Sequence, residues 1–469
     1  MSALDPLEAA LAVRPVPGAP RPYHFPAFVR ARLSGGLPLL LVHLPGRPLV
    51  TANLVLPGGA VDEPPADGGS AVLAARALTE GTERYDAVAL VEASERLGAS
   101  LRSDAGWDAT VVGVDVPVER LAPALELLAE VARRPTFPER EVARLRDQRL
   151  NDILQARADP GRRADEAFVA AIYEPASPFA RPSGGLPETV ATLDPDACRR
   201  ALRRWSSFDR AALVVGGDLD GVDAQAMAES LFGDLVPDSA ADPAATPASG
   251  GAVEQTFVHL VHRPGSVQSE IRIGHVGLAR RNPGYHAVVV MSAILGGLFN
   301  SRLNLKLREE KGYTYGAGAG FDMRRLPGPF SARMAVNTEA TVAAIADTLA
   351  ELRRIREQPV GHAELATARD YLVGVFPLRF ETPAPVVSSL AGLVTHELPD
   401  DELDRYRPAI EAVTADDVQA AARDHLDPER TAIVIVGDAD ALATELEAAG
   451  FGPVEIVREE QAATEGSNG

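Results

Sequence analysis

The sequence predicts an α+β protein built from two similar domains, each a mainly antiparallel sheet covered by helices. The first observation is an internal duplication, because three motifs recur in the same order at offsets of 219 to 223 positions: LVHLPG as LVHRPG, EVARLRD as ELATARD, and LVVGGD as IVIVGD. The second is that strand and helix patterns are mixed without regular βαβ alternation. The third is that 469 residues exceed one ordinary hydrophobic core.

The predicted elements follow the same order in each half. Strand patterns come first, as in LVTANLVLPGGAV at 49–61 and SEIRIGHVGLA at 269–279. Helices with apolar residues every three or four positions follow, as at 116–134 and 338–357. Each half ends on a short strand that runs into Gly-Asp. The two halves are therefore expected to fold alike.

A stretch without periodicity, VPDSAADPAATPASGG, separates the halves and is typical of a linker. We predict an N-terminal domain over residues 1–240, a linker over 241–255, a C-terminal domain over 256–460 and a tail over 461–469.

Composition narrows the class of function. The net charge of −20 disfavours binding to nucleic acids or to anionic membrane surfaces, and it favours basic peptides as ligands. Cys198 is the one cysteine, so an internal disulfide is excluded and small-residue packing is its expected role. The N-terminus lacks a basic region followed by an apolar run, and the longest apolar runs are of strand length. We therefore expect no secretory signal, no membrane span and a cytoplasmic protein.

Each half contains one segment that the other lacks. In the first half this segment is DEPPADGGSAVLAARALTEGT, at 62–82. Its middle part, SAVLAARALTEG, predicts a plain amphipathic helix that ends at Gly81 in a left-handed C-cap. In the second half the extra segment contains LREEKGYTYG, at 307–316, which is neither a good helix nor a clean strand.

The residues of LREEKGYTYG permit a structural interpretation. Arg308 is placed to pair with Glu309 or another acidic neighbour on a solvated helix end. Tyr313 and Tyr315 alternate as in a strand with one buried face, so they are expected to point in opposite directions, with Tyr313 in the structural role. The Gly-rich run that follows either permits close approach of a bound peptide or only relieves crowding.

The histidines do not form an obvious metal site. His259 and His262 have H-x-x-H spacing, but they fall in a predicted strand, whose period of two sends them to opposite faces. A structural role is therefore predicted for both.

Several further segments stand out along the chain: GGAVDEPPADGG with LTEGT, ERLGASL, RPTFPEREVARLRDQ, PGSVQSEIRIG, LGGLFNSRLNLKLREEKGYTYG and LVGVFPLRFET. Together they resemble the pitrilysin/insulinase family of zinc peptidases, in particular its mitochondrial-processing-peptidase-like branch. The resemblance covers nearly the whole chain. It implies two similar domains of the LuxS/processing-peptidase-like fold.

The resemblance also implies where a zinc site would lie. Active members carry H-x-x-E-H on the helix before EGT, where two His bind zinc and the Glu acts as a base. In this chain the ligand positions hold Val72 and Arg76, and the base position holds Ala75. The third ligand would fall near Asn151 or Asp152. No metal or other cofactor is therefore expected in this chain, and zinc is expected in a partner subunit.

A facing lobe in this family supplies an Arg and a Tyr seven residues apart, in the pattern L-R-E-x-x-G-x-x-Y. Arg308 and Tyr315 match that pattern. By resemblance, they bind substrate and stabilise the transition state in trans, at the zinc site of a homologous subunit that carries H-x-x-E-H.

The leading hypothesis is a zinc-free, substrate-positioning subunit of a heterodimeric metalloendopeptidase that cleaves peptides or leader segments. The alternatives are a non-catalytic scaffold and a peptide-binding homodimer of the same fold. The presence of both Arg308 and Tyr315 favours the first hypothesis, because a scaffold needs neither residue.

Overall fold

The computed structural model describes residues 18, 21–205, 210–236, 251 and 253–458. Within them the chain forms two six-stranded, mainly antiparallel sheets, one in each half, and helices cover both sheets. This confirms the predicted α+β fold with two similar halves. The predicted domain boundaries remain a prediction, since the predicted tail and most of the predicted linker, 241–250 and 252, lie outside the described residues.

The strands and helices are numbered in chain order. The strands are β1 (Phe28–Arg32), β2 (Pro38–His43), β3 (Leu49–Pro57), β4 (Ser100–Ala105), β5 (Ala109–Pro117), β6 (Ala212–Gly217), β7 (Phe257–His262), β8 (Gln268–Val276), β9 (Ala317–Phe321), β10 (Pro329–Asn337), β11 (Ala432–Gly437) and β12 (Val454–Val457). The helices are α1 (Ser70–Ala77), α2 (Ala87–Arg96), α3 (Leu121–Arg133), α4 (Glu139–Ala158), α5 (Pro160–Ile172), α6 (Pro187–Val190), α7 (Pro195–Arg204), α8 (Ala224–Phe232), α9 (Tyr285–Ser292), α10 (Thr341–Glu357), α11 (His362–Val375), α12 (Pro383–Thr395), α13 (Glu402–Ala412), α14 (Ala415–His425) and α15 (Ala439–Ala449). Two further segments, Ala293–Gly297 and Asn304–Glu310, are π-helical.

The strand orders show the duplication directly. The first sheet runs β1-β2-β6-β3-β5-β4 and the second β12-β7-β11-β8-β10-β9. In each, a parallel pair built from the repeated motifs (β2 with β6, and β7 with β11) is followed by three antiparallel pairings. The sheets differ in the strand beyond that pair, which comes from the N-terminal side in the first half and from the C-terminal side in the second.

Each half covers one face of the other half's sheet. Ala164 and Phe168 of α5 pack with Val434 of the second sheet. Val387 of α12 packs in the same way with Val214 of the first sheet. Burying one large apolar side chain contributes about 1.5–3 kcal/mol to the free energy of unfolding. Helices α5 and α12, each packed on the sheet of the other half, therefore hold the two halves together.

A glycine in β6 permits the close approach of α12. A Cβ on Gly216 would lie 2.7 Å from Cγ2 of Val387 and 2.5 Å from Cγ1 of Val42, both closer than real Cβ contacts. This explains why the first half reads LVVGGD where the second reads IVIVGD.

Partly buried histidines make the stability of the fold depend on pH. The His275 ring donates a hydrogen bond from Nδ1 to the Val276 carbonyl (2.8 Å) and accepts one at Nε2 from the Asp427 amide (3.1 Å). Burial lowers the pKa of His275 below its usual value, although Asp427 opposes the shift, and Arg356 and Arg430 add to it. The folded state therefore holds this ring neutral.

We expect the free energy of unfolding to fall as the pH is lowered below about 6.5, the ordinary histidine pKa, because the unfolded chain then binds protons that folded His275 does not. Burial also lowers the pKa of His286 and His396, which act in the same direction. Urea unfolding at pH 7.5 and 5.5 measures the effect. The His275→Gln variant should lose less stability over this interval than the parent chain, and an equal loss would contradict the assignment.

Candidate functional site

Arg308 and Tyr315 line one open groove at the edge of the second sheet. The groove has a volume of about 420 Å³ and runs along the start of β9, where Gly316, Ala317 and Gly318 form part of its wall. Strand β9 is the last strand of its sheet, and among the described residues it pairs only with β10. The structure thus brings the two predicted site residues to the edge of the second sheet, where Asn304 occupies the Ala317 amide and Gly296 packs against the backbone of Ala319.

Arg308 is positioned by the π-helical segment Asn304–Glu310. The neighbouring Leu307 is fully buried in the hydrophobic core of the second half, here called the second core, and anchors the segment. The Arg308 guanidinium lies over the Phe299 ring, 4.5 Å from its centroid, and Nε is 3.6 Å from Oε1 of Glu309. An exposed pair of this kind contributes roughly 0–1 kcal/mol, so it leaves the guanidinium available to a ligand.

Tyr315 projects from a short turn before β9. The Thr314 hydroxyl donates to the Gly316 carbonyl (2.9 Å) and accepts from the Gly316 amide (3.1 Å), and this turn leaves Tyr315 93% exposed. Tyr313 is partly buried against the second core. The expected difference between the two tyrosines is present, but it comes from this turn, because β9 begins only at Ala317.

Asn304 and Gly312 fix the path of the chain between Arg308 and Tyr315. Asn304 donates through Nδ2 to the Leu298 carbonyl (3.2 Å) and accepts at Oδ1 from the Ala317 amide (2.9 Å), so it ties the loop before it to the first residue of β9. Gly312 lies two residues beyond the end of the π-helical segment and has φ +65, in the left-handed region that favours glycine.

Sequence reasoning missed the charged floor of the groove. Glu270 and Arg272 of β8 and Arg333 of β10 line it together with Arg308. Arg272 and Arg333 are directly paired across the two strands. Arg272 pairs with Glu270 (3.1 Å) and Asp165 (2.5 Å), so Arg308 and Arg333 give the groove its positive charge, in contrast to the net charge of the whole chain. Only the strand register, which is not readable from the isolated motif, brings these residues together.

The helix that would carry zinc in active relatives is α1, and its residues do not fit a metal. Val72 is partly buried against the hydrophobic core of the first half, here called the first core, and Ala75 is fully buried. The Arg76 Nη1 atom lies 3.6 Å from Oδ2 of Asp152, so the residue at a ligand position pairs with a residue expected near the third ligand. The fixed positive charge of Arg76 stands where a cation would bind.

Helix α1 is shorter than predicted. It ends at Ala77 rather than near Gly81, and Gly81 is absent from the glycines with positive φ, so the predicted left-handed cap is wrong. Gly81 instead forms an isolated β-bridge with Asp86, and a Cβ there would lie 2.6 Å from Cγ of Pro138. Close packing, not backbone conformation, explains this glycine.

The purified chain is expected to contain far less than one zinc ion per molecule, because Val72 and Ala75 offer no ligand atom and Arg76 is cationic. Metal analysis after dialysis measures the content. About one tightly held zinc per chain, with unfolding that shifts on chelation, would contradict this expectation.

The two histidines of β7 have separate partners. His259 Nδ1 lies 3.0 Å from Oε2 of Glu455, and His262 Nδ1 accepts from the Ala439 amide (3.1 Å). The two rings therefore do not share a site, as the strand period predicts. Among the described residues, His262 forms the one group of three possible metal ligands, with Asp438 and Asp440, and the backbone contact already occupies its Nδ1.

Cys198 is fully buried in the first core. Burial raises the pKa of its thiol to about 12, so the thiolate is not formed near neutral pH. This environment matches the predicted packing role.

Family profiles match both halves of the chain. The profile described as Insulinase (Peptidase family M16) matches residues 39–180, and the one described as Peptidase M16 inactive domain matches residues 192–372. The chain belongs to the M16, or insulinase, family of peptidases. It has the sequence expected of a subunit that lacks the zinc motif.

This chain is similar both to proteins named as zinc proteases and to a protein named as a non-peptidase homolog. An uncharacterized zinc protease of Streptomyces coelicolor is 25% identical over 421 residues, which cover 87% of this chain and 89% of that protein. A non-peptidase homolog of Helicobacter pylori is 23% identical over 323 residues, which cover 67% and 72%. A solved peptidase M16 inactive domain from Pseudomonas fluorescens has a TM-score of 0.80 and 26% identity, covering 88% of this chain and 98% of that one.

Proposed function

We propose that this chain is the zinc-free, substrate-positioning subunit of a heterodimeric metalloendopeptidase in the cytoplasm. Its partner would be a homologous subunit that carries H-x-x-E-H. The observation that carries the proposal is Tyr315, which is 93% exposed in a groove that it shares with Arg308. Because its own chain does not bury it, the Tyr315 side chain is available to a ligand or a partner subunit.

The chemistry of the two side chains suits peptide hydrolysis. Negative charge develops on the scissile carbonyl oxygen, and the Tyr315 phenol can donate a hydrogen bond to it. The Arg308 guanidinium can donate two hydrogen bonds to backbone carbonyls beside the scissile bond. The partner subunit would supply the zinc.

The groove suggests the kind of substrate. It is open beside Arg308 and Tyr315, and an extended chain presents its backbone carbonyls to both side chains. Unstructured peptides or leader segments are the substrates that meet this requirement. The guanidinium groups of Arg308 and Arg333 favour acidic side chains in the groove, so the basic peptides suggested by the net charge are not favoured there.

The alternative is a non-catalytic scaffold or peptide-binding protein of the same fold. The similarity to a protein named as a non-peptidase homolog favours it. Under this alternative Arg308 and Tyr315 bind a peptide without contributing to its cleavage, or have no ligand. An H-x-x-E-H subunit would then cleave peptides without this chain.

Assays of this chain, the H-x-x-E-H subunit and their mixture on unstructured peptides test the proposal. Cleavage is expected from the mixture, with little from either subunit alone. If the mixture is no more active than the H-x-x-E-H subunit by itself, the scaffold alternative is the better account.

A further inference from the structure

A separate cavity lies in the first half of the chain, between α4, α5 and the loop at 181–186. Its volume is about 330 Å³, which is within the range of small-ligand sites. Much of the wall is apolar, and it shares no lining residue with the groove of Arg308 and Tyr315. The apolar side chains of the wall belong to Trp107, Ile153, Ala156, Val169, Pro182 and Leu186.

Arg149 places a guanidinium group in the wall of this cavity. Its Nε donates to the Gly184 carbonyl (2.9 Å), and no described carboxylate lies within ion-pair distance of it. A Cβ on Gly184 would lie 2.4–2.7 Å from the guanidinium atoms, so glycine at this position permits the arrangement. Burial lowers the pKa of Arg149, the nearby charge of Arg76 adds to this shift, and Asp152 opposes it. An anion beside Arg149 would offset both the burial of its charge and the repulsion by Arg76.

Apart from Arg162, the other charged side chains of the wall form ion pairs with residues outside the cavity. Asp165 pairs with Arg272 (2.5 Å) and Glu166 with Arg157 (3.1 Å). The remaining cation of the wall, Arg181, pairs with Glu63 (2.6 Å).

Two guanidinium groups of the wall are therefore left without a carboxylate among the described residues. Arg149 is half-buried, and Arg162 is exposed at the rim. The cavity thus combines an apolar wall with an excess of positive charge.

We propose that this cavity binds a carboxylate carried on a small apolar group, the chemistry of the C-terminal residue of a peptide. A guanidinium holds a carboxylate through two parallel hydrogen bonds, and the apolar wall accepts the attached side chain. Phosphate fits less well, since it carries about −1.5 to −2 charges and only one of the two guanidinium groups is half-buried. The inference does not depend on the proposed function, because neither Arg308 nor Tyr315 takes part.

Calorimetric titration of the full chain with N-acetyl-L-leucine and N-acetyl-L-leucinamide tests this site. The acid is expected to bind at least tenfold more tightly than the amide, which differs from it only in the carboxylate. Equal affinity, or no binding of the acid, would overturn the proposal. So would inorganic phosphate that displaces the acid at equal concentration. These comparisons use the unaltered chain, so they do not depend on whether a variant folds.

Substitution then locates the site. Arg149→Met is expected to weaken binding of the acid at least tenfold. Arg140→Met is the matched control, because Arg140 lies on the same helix with a side chain that is 95% exposed, and it does not line this cavity. Retained affinity in Arg149→Met, or an equal loss in Arg140→Met, would rule out the assigned cavity.

Discussion

Replacing Tyr315 by Phe is expected to slow peptide cleavage by the reconstituted pair about a hundredfold to a thousandfold, the usual cost of losing one donor to a developing oxyanion. The substitution removes only the hydroxyl. Because Tyr315 is 93% exposed, the fold of this chain does not depend on it. Turnover of an unstructured peptide, measured alongside complex formation and zinc content, separates a chemical loss from a failure of assembly.

Tyr313→Phe is the matched control, since Tyr313 lies two residues away and packs against the second core. It should cleave normally. Arg308→Ala should lose activity with assembly intact, because its present contacts, Phe299 and Glu309, are weak and exposed. Normal cleavage by Tyr315→Phe would remove the catalytic role, and an equal loss in all three variants would indicate misfolding.

Replacing Glu63 by Gln is expected to lower the free energy of unfolding by about 3–5 kcal/mol, because it leaves the buried Arg181 charge uncompensated. Glu63 is 5% exposed and its carboxylate accepts from Arg181 Nη2 (2.6 Å) and from the amides of Gly69 (2.9 Å) and Ala71 (2.6 Å). A Gln side chain also turns an NH₂ group towards one of these donors. Urea unfolding at neutral pH measures the change.

Two further variants isolate the cause. The double variant Glu63→Gln with Arg181→Met should recover part of the loss, since it removes the isolated charge. Arg30→Met breaks an exposed pair with Asp400, whose side chains are 39% and 52% exposed, and should cost roughly 0–1 kcal/mol. If Glu63→Gln costs no more than Arg30→Met, the buried pair does not stabilise the fold as described.

The duplication made the fold predictable from the sequence. The repeated motifs fall on β2 and β7 and on β6 and β11, which lie at equivalent places in the two sheets. The difference between LVVGGD and IVIVGD could not be interpreted in advance. It depends on α12 crossing the first sheet at Gly216, a contact between segments that are distant in sequence.

The candidate site was predicted in part. The spacing of Arg308 and Tyr315 selects two residues that the structure places in one groove, and their catalytic role stays a prediction. The alternation of Tyr313 and Tyr315 predicts a strand, whereas Thr314 and Gly316 form a turn there. The cationic groove could not be read from the motif, because Arg272 and Arg333 meet only through the pairing of β8 with β10. Long-range pairing of this kind leaves no local pattern in the sequence.

The ion pair between Arg76 and Asp152 joins two helices in the same long-range way. The sequence showed that the zinc ligands of the family are replaced. The structure adds that the replacements contact each other, which gives α1 a structural role.

Native mass measurement of this chain co-expressed with an H-x-x-E-H subunit tests the central claim most directly. We expect a one-to-one complex that contains zinc from the partner and that keeps this stoichiometry with Tyr315→Phe. Two separate homodimers, with no mixed species at any ratio of the two chains, would contradict it.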